Sequence, residues 1–307
     1  MPNARQTAAA AESGAARAHG AMLLYAFLIS TSFPVGAAIT HDLDPVVLTF
    51  FRFLFGAAAF AVALLLTRQW QRPSFGLLWR GAATGLPMVI FFVAMFEALR
   101  WAEPLNTSAL FTLIPLMAAG IGFVLNGHRS GPAQLVCLAI AGMGAVWILF
   151  AGDVSRLLAF SLGHGEQIFF LGCVAFAAHS PLISRLHGGY PAKQLTFWSI
   201  VTGALVLGLV AAPQLAAATW TEAGAGAWLG VLYLAVANTA VTFFLIQFAS
   251  RVLPSHKVMA YTYLSPGFVA LLQGVLGQGW PAAGIWAAIA VTASVTLLLQ
   301  RLGRAQS

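Results

Sequence analysis

Residues 45–67 read PVVLTFFRFLFGAAAFAVALLLT, twenty-three positions carrying a single charge, Arg52. A transmembrane helix needs ~20 mostly apolar residues, and a helix satisfies its own backbone hydrogen bonds in hydrocarbon. Nine further stretches read the same way, so the predicted spans are 21–40, 45–67, 81–99, 105–125, 133–151, 167–184, 194–211, 227–248, 258–277 and 284–300. The apolar residues come in runs, not in the alternation of a membrane β-barrel. Composition points the same way: 60% of the 307 residues are hydrophobic and 7% are charged, against ~25% charged in a soluble domain. The predicted class is an all-α integral membrane protein with ten transmembrane helices.

The net charge of +7 is placed to orient helices, not to bind nucleic acid. With the N-terminus cytoplasmic, Arg5, Arg17, Arg68, Arg72, Arg80, Arg129, Arg185, Lys193, Arg251, Lys257, Arg301 and Arg304 fall inside, and only Arg100 and Arg156 fall outside. That bias predicts cytoplasmic N and C termini in a cell inner membrane, with basic groups near anionic lipid of the bilayer. Asp42, Asp44, Glu103, Asp153 and Glu222 lie in the outer loops. Cys137 and Cys173 sit in mid-span without metal-ligand or disulfide spacing and read as small core residues. Residues 1–20, Ala-rich and polar, are expected to form a disordered cytoplasmic tail, not a signal peptide.

The chain repeats itself. An offset of 147 superposes Pro34 on Pro181, Leu48-Thr49-Phe50 on Leu195-Thr196-Phe197 and Gly56-Ala57 on Gly203-Ala204. An offset of 151 superposes Ala98 on Ala249, Arg100 on Arg251, Leu113 on Leu264 and Pro115 on Pro266. Gly81-xxx-Gly85 and Gly226-xxx-Gly230 form a further, weaker pair. The expected repeats are residues 21–151 and 166–300, five spans each, together one membrane domain. Five is odd, so the second copy enters the membrane from the opposite face. Two inverted five-helix repeats around a central site are the architecture of many secondary transporters.

Short loops, five-plus-five spans and a proline in the middle of spans four and nine resemble the EamA-type branch of the drug/metabolite transporter superfamily. The likeness is carried by Ser32-Phe33-Pro34, Leu48-Thr49-Phe50-Phe51-Arg52-Phe53, Leu113-Ile114-Pro115-Leu116 and Tyr263-Leu264-Ser265-Pro266. Many members have a Glu shortly after spans four and nine, where this chain reads Asn126-Gly127-His128-Arg129 and Gly277-Gln278-Gly279-Trp280. The resemblance implies export of metabolites, amino acids or drugs from a bacterial cytoplasm. Within the superfamily it looks most like the YddG-type aromatic amino-acid exporters.

A polar group inside a span is costly and marks a candidate site. Arg52, roughly 10 Å into span two at ~1.5 Å per residue, is expected to pair with Glu97 at the outer end of span three. That pair would fix helix packing; otherwise Arg52 would hold a carboxylate or serve an outer gate. His179, beside Ser180 and Pro181, could carry a proton or simply be hydrogen-bonded. Pro34 and Pro181 free the carbonyls of Ser30 and Ala177, and such opened helices in matching repeats point to a transport site. The expected substrate lining is Ser32, Pro34, Phe91, Met95, His179, Ser180, Asn238, Thr242, Tyr261 and Tyr263, supported by Phe92, Phe96, Gln247 and Ser265. A mixed apolar and amide/hydroxyl lining suits an amino acid better than a phosphate ester. The same groups could equally join helices to one another.

No P-loop, Gly-x-Ser-x-Gly elbow or His-Glu-x-x-His motif occurs. The reading is therefore a non-enzyme with no cofactor, metal or ATP, a small-molecule substrate, and function as a monomer. An uncoupled facilitator or channel, or a drug exporter of the same fold, is the competing transporter. A membrane lipid enzyme would need paired titratable groups near one interface.

Overall fold

The computed structural model describes residues 4–70, 72–127, 131–159 and 162–302, the side chains of 4–13, 192, 247, 255–256 and 302 excepted. Arg129, Arg304 and the side chains of Arg5 and Gln247 lie outside what is described. Ten helices are long and apolar enough to cross a membrane: Gly14–Ile39, Pro45–Leu66, Phe75–Ala98, Pro104–Asn126, Pro132–Leu149, His164–Leu186, Lys193–Val210, Ala225–Ile246, Lys257–Val275 and Ala283–Arg301. They are called the first to tenth spans below. No β-strand occurs among the described residues.

The first helix starts earlier than expected, running Ala4–Ile39. Residues 14–20, placed in a disordered tail by their composition, belong to it. Ala18 and Met22 are fully buried against Ala249, Leu253 and Val258, so the small side chains of this segment pack instead of dangling.

Short connections make successive spans antiparallel, and the loops sort into two chemically distinct ends. At the basic end, Lys193 Nζ donates to Gln69 Oε1 (2.6 Å), the hydroxyls of Ser74 and Tyr190 lie 2.9 Å apart, and Arg185 donates to the Leu125 carbonyl (2.9 Å). At the acidic end, Asn106 donates to Glu166 (3.0 Å), and Asp42, Asp44 and Glu222 line one cavity.

Packing follows the duplication. The third span packs on the sixth and seventh as the eighth packs on the first and second; the second meets the seventh, and the fifth meets the tenth. Glycines set the close approaches. A Cβ on Gly172 would meet Ala94 at 2.7 Å, and one on Gly165 the carbonyl of Ala98 at 2.7 Å. Backbones this close replace the hydrophobic drive that lipid does not supply between helices.

Prolines interrupt some of the helices that hold them and not others. The helices holding Pro34 and Pro181 run on as Ala4–Ile39 and His164–Leu186. The fourth span is instead split into Pro104–Phe111 and Ile114–Asn126. In the ninth, a 3₁₀ turn, Tyr261–Leu264, separates Ser255–Ala260 from Ser265–Val275. Pro115 and Pro266 cause both breaks, because each lacks an N–H and its ring clashes with the carbonyl four residues back.

Candidate functional site

The polar centre of the bundle forms where the first span meets the eighth. Residues Val236–Val241 are a π-helix, a form that is rare and frequently found at functional sites. Within it the Thr239 hydroxyl donates to the carbonyl of Leu234 at 3.2 Å. The wider turn carries buried Asn238, whose Nδ2 reaches Thr31 Oγ1 at 3.4 Å, while Thr31 Oγ1 and the Tyr233 hydroxyl lie 2.8 Å apart. Thr242 is also buried and donates to the Asn238 carbonyl (3.0 Å). Asn238 Oδ1 has no hydrogen-bond partner among the described residues, which leaves an acceptor open at the heart of this group. Thr31 and Tyr233 were not singled out in the sequence; Thr31's place beside Ser32 was the only signal.

Ser32 and Pro34 are buried next to this group, and the Ser32 hydroxyl is taken by its own helix at the Ile29 carbonyl. Phe91 and Met95 form a packed wall, not an open lining. The Phe91 ring lies 4.6 Å from Phe176 and 5.4 Å from Phe169, and both residues are nearly fully buried. His179 Nδ1 sits 2.7 Å from the Thr84 carbonyl, which requires the proton on Nδ1, and its ring stacks on Phe176 at 5.5 Å. Ser180 is exposed, yet it falls two turns beyond buried Cys173 on the same helix face.

The two tyrosines fall away from this centre. The Tyr261 hydroxyl is 2.6 Å from His19 Nδ1 at the basic end. Tyr263 packs with Cys137, Leu138, Val295 and Leu299 between the fifth and tenth spans. Both had been expected in the substrate lining; the 3₁₀ turn at 261–264 rotates them away from it. Among the described residues, buried Ser265 has no partner for its hydroxyl.

The expected Arg52–Glu97 pair does not form. Glu97 binds Arg100 at 3.4 Å and accepts from Trp101 Nε1 at 3.1 Å, at the exposed end of its helix. Three and four residues are one helical turn, so these local partners win over a distant one. An exposed pair of this kind stabilises by well under ~1 kcal/mol. Glu97→Gln is therefore expected to leave transport within about twofold and the melting temperature nearly unchanged, as flux and thermal unfolding would show. Arg52 is fully buried, with its guanidinium carbon 4.1 Å from the centre of the Phe92 ring and 5.7 Å from that of Phe96.

The two repeats close differently. At the basic half, Thr84 and Ser199 hydroxyls lie 2.6 Å apart, and a Cβ on Gly81 would meet the Trp198 backbone at 2.9 Å. Gly85 lies against the Ser199 carbonyl just as tightly. In the other half, a Cβ on Gly56 would meet the Thr239 side chain at 3.3 Å, and one on Gly230 the Ile39 side chain at 2.8 Å. The acidic end carries a cavity of about 470 Å³, lined by Asp42, Asp44, Val47, Trp220, Glu222 and neighbours.

Comparison with known proteins agrees with this architecture. The model of the EamA-like transporter family matches twice, over residues 17–150 and 164–300. An uncharacterized transporter of Bacillus subtilis (strain 168), YyaM, is 20% identical over 188 residues; the match spans 61% of this chain and 61% of the relative's length. A solved crystal structure, described only as that of a protein, has a TM-score of 0.66 and 20% identity, covering 96% of this chain and 99% of its own. That likeness speaks for the fold alone. With both halves matched and ten spans in place, the chain is a multi-pass membrane protein, and it belongs to the EamA-like transporter family.

Proposed function

We propose that this transporter exports small amphipathic metabolites, aromatic or other neutral amino acids in particular, across a bacterial inner membrane by alternating access. Within the superfamily this is the behaviour of a YddG-type exporter, working as a monomer. The carrying observation is an asymmetry between the ends: a glycine seam closed on helix backbone at the basic end, and a cavity at the acidic end. With the basic end cytoplasmic, as the distribution of Arg and Lys favours, that cavity lies on the outer side. Exchanging the shapes of the two inverted halves would open the opposite side. Between the seams lie the Asn238 amide, the Thr31, Tyr233 and Thr242 hydroxyls, and the Phe91–Phe176 wall. Such a set offers hydrogen bonds to a polar head and flat contact to an apolar side chain.

Flux of radiolabelled phenylalanine, leucine and serine through proteoliposomes tests this reading. Saturable flux of at least one is expected; absence of any saturable flux discards the amino-acid assignment.

One observation favours a second reading, an uncoupled facilitator. Among the described residues of the spans, carboxylates occur only near helix ends, at Glu97 and Glu166, and His179 is held on a backbone carbonyl. The two readings part under an imposed pH gradient. Coupled export responds to the gradient and loses that response in His179→Ala; facilitated diffusion follows the solute gradient alone.

A further inference from the structure

We infer that Arg52 is the anchor for a carboxylate of the transported solute, an assignment that rests on the proposed transport reading and narrows its substrate class to monocarboxylates with an apolar side group. The starting point is an unmet requirement. Arg52 is 0% exposed, and Nε, Nη1 and Nη2 all lack a hydrogen-bond partner among the described residues. Its expected partner, Glu97, is engaged by Arg100 and Trp101. Burying a guanidinium in a span is costly, and most of its in-plane N–H groups would ordinarily find acceptors.

The repeat makes the vacancy specific to this position. Ser199 is the counterpart of Arg52 at the offset of 147 that aligns Leu48-Thr49-Phe50 with Leu195-Thr196-Phe197. Ser199 is satisfied: its hydroxyl donates to the Leu195 carbonyl at 2.7 Å and meets Thr84. Where one repeat has a closed hydroxyl pair, the other presents a cation with unused donors.

Geometry then selects the acceptor. The Phe92 ring centre lies 4.1 Å from the guanidinium carbon, so cation–π attraction acts on the group while the fork of N–H donors is left without hydrogen-bond acceptors among the described residues. Two coplanar oxygens match that fork, which is the geometry of a carboxylate. One cation neutralises one negative charge; the remaining Arg and Lys of the described spans, Arg17, Arg80, Arg185, Lys193, Lys257 and Arg301, sit toward span ends. A dianionic phosphate would leave charge uncompensated. Phe92 and Phe96, with Phe91 packed on Phe92 at 4.9 Å, supply apolar surface beside the anchor. The mouth adds a constraint. Asp42, Asp44 and Glu222 line the acidic-end cavity, whose Trp220 lies 5.3 Å from Phe51, the neighbour of Arg52. Carboxylates there repel a simple anion and tolerate a zwitterion carrying its own ammonium.

Four matched probes test the anchor on the purified full-length protein: phenylalanine, phenylalaninamide, phenethylamine and 3-phenylpropionate, each titrated by thermal unfolding. The expected result is stabilisation by phenylalanine at concentrations at least tenfold below those needed for the amide or the amine. Arg52→Gln should abolish that tenfold preference, and Arg52→Lys should keep only part of it, because an ammonium cannot reproduce the fork. Equal stabilisation by acid, amide and amine overturns the anchor and leaves amino-acid transport standing. Stabilisation by 3-phenylpropionate alone, lost in Arg52→Gln, keeps the anchor and discards the amino-acid reading. No response to either carboxylate overturns the anchor. The acid-against-amide comparison uses the unaltered chain, so it decides even where Arg52→Gln fails to fold.

Discussion

Leucine at Gly85 is expected to cut flux at least tenfold while the protein still inserts and folds. The backbone of Ser199 occupies the space into which any Cβ at Gly85 would project, and Gly81 one turn earlier is pressed on the backbone of Trp198. A flexible side chain could move aside; a neighbouring helix backbone has to shift as a whole. Overpacking of this kind costs about 1–3 kcal/mol. The strain falls on the conformation sealed at the basic end, since the helices part in the other. A penalty of ~2 kcal/mol, at ~1.4 kcal/mol per tenfold, lowers the weight of the sealed state roughly thirtyfold. The readout is the labelling rate of a cysteine placed at Thr202, buried beyond the seam, by a membrane-impermeant maleimide applied from the basic side. Native Cys137 and Cys173 are buried and serve as the unreacted background. Labelling should accelerate about tenfold or more in Gly85→Leu, with Gly85→Ala in between. Unchanged labelling together with unchanged flux would show that this seam does not open during transport.

Asn238→Leu is expected to separate activity from stability. The Asn238 amide is buried, its Nδ2 contact to Thr31 is long at 3.4 Å, and its Oδ1 has no partner among the described residues. An unmet buried acceptor costs about 1–3 kcal/mol, and an apolar group of similar shape removes that cost. The variant should therefore melt at the same temperature as the parent or higher. Its flux should drop at least tenfold, because the π-helix would then present a methyl-tipped chain where a solute's polar head needs an amide. Equal flux with raised stability would assign Asn238 to helix packing alone.

The candidate site was partly legible in the sequence, and the difference has a physical pattern. Asn238, Thr242, Ser32 and His179 were recognisable because a polar group inside an apolar run stands out without knowledge of its neighbours. Their partners were not. Thr31 meets Tyr233 and Asn238 across 202 and 207 residues, and His179 meets Thr84 across 95. Tyr261 and Tyr263 met the same criterion of polarity in a span, yet the 3₁₀ turn sends one to His19 and the other to the cluster around Cys137. Four of the span prolines were matched across the halves, Pro34 with Pro181 and Pro115 with Pro266, but a proline's ring removes one hydrogen bond whether or not the helix then breaks. The chain continues through Pro34 and Pro181 and breaks near Pro115 and Pro266.

Ten spans, their all-helical character and the similarity of the two halves were determined by the sequence itself. Hydrocarbon demands length and apolarity of each segment separately, and a duplication is written residue against residue. Which helices touch, and how closely, was decided only in three dimensions. Gly81 and Gly85 seal one end because the Trp198 and Ser199 backbones lie opposite them, whereas Gly56 and Gly230 in the other half face the side chains of Thr239 and Ile39. Arg52 was conspicuous from the start, but its lack of a partner appeared only with the fold. The turn that gives Glu97 to Arg100 and Trp101 is local, while the rotation that lays Arg52 on Phe92 is set by the packing of the second span against the third.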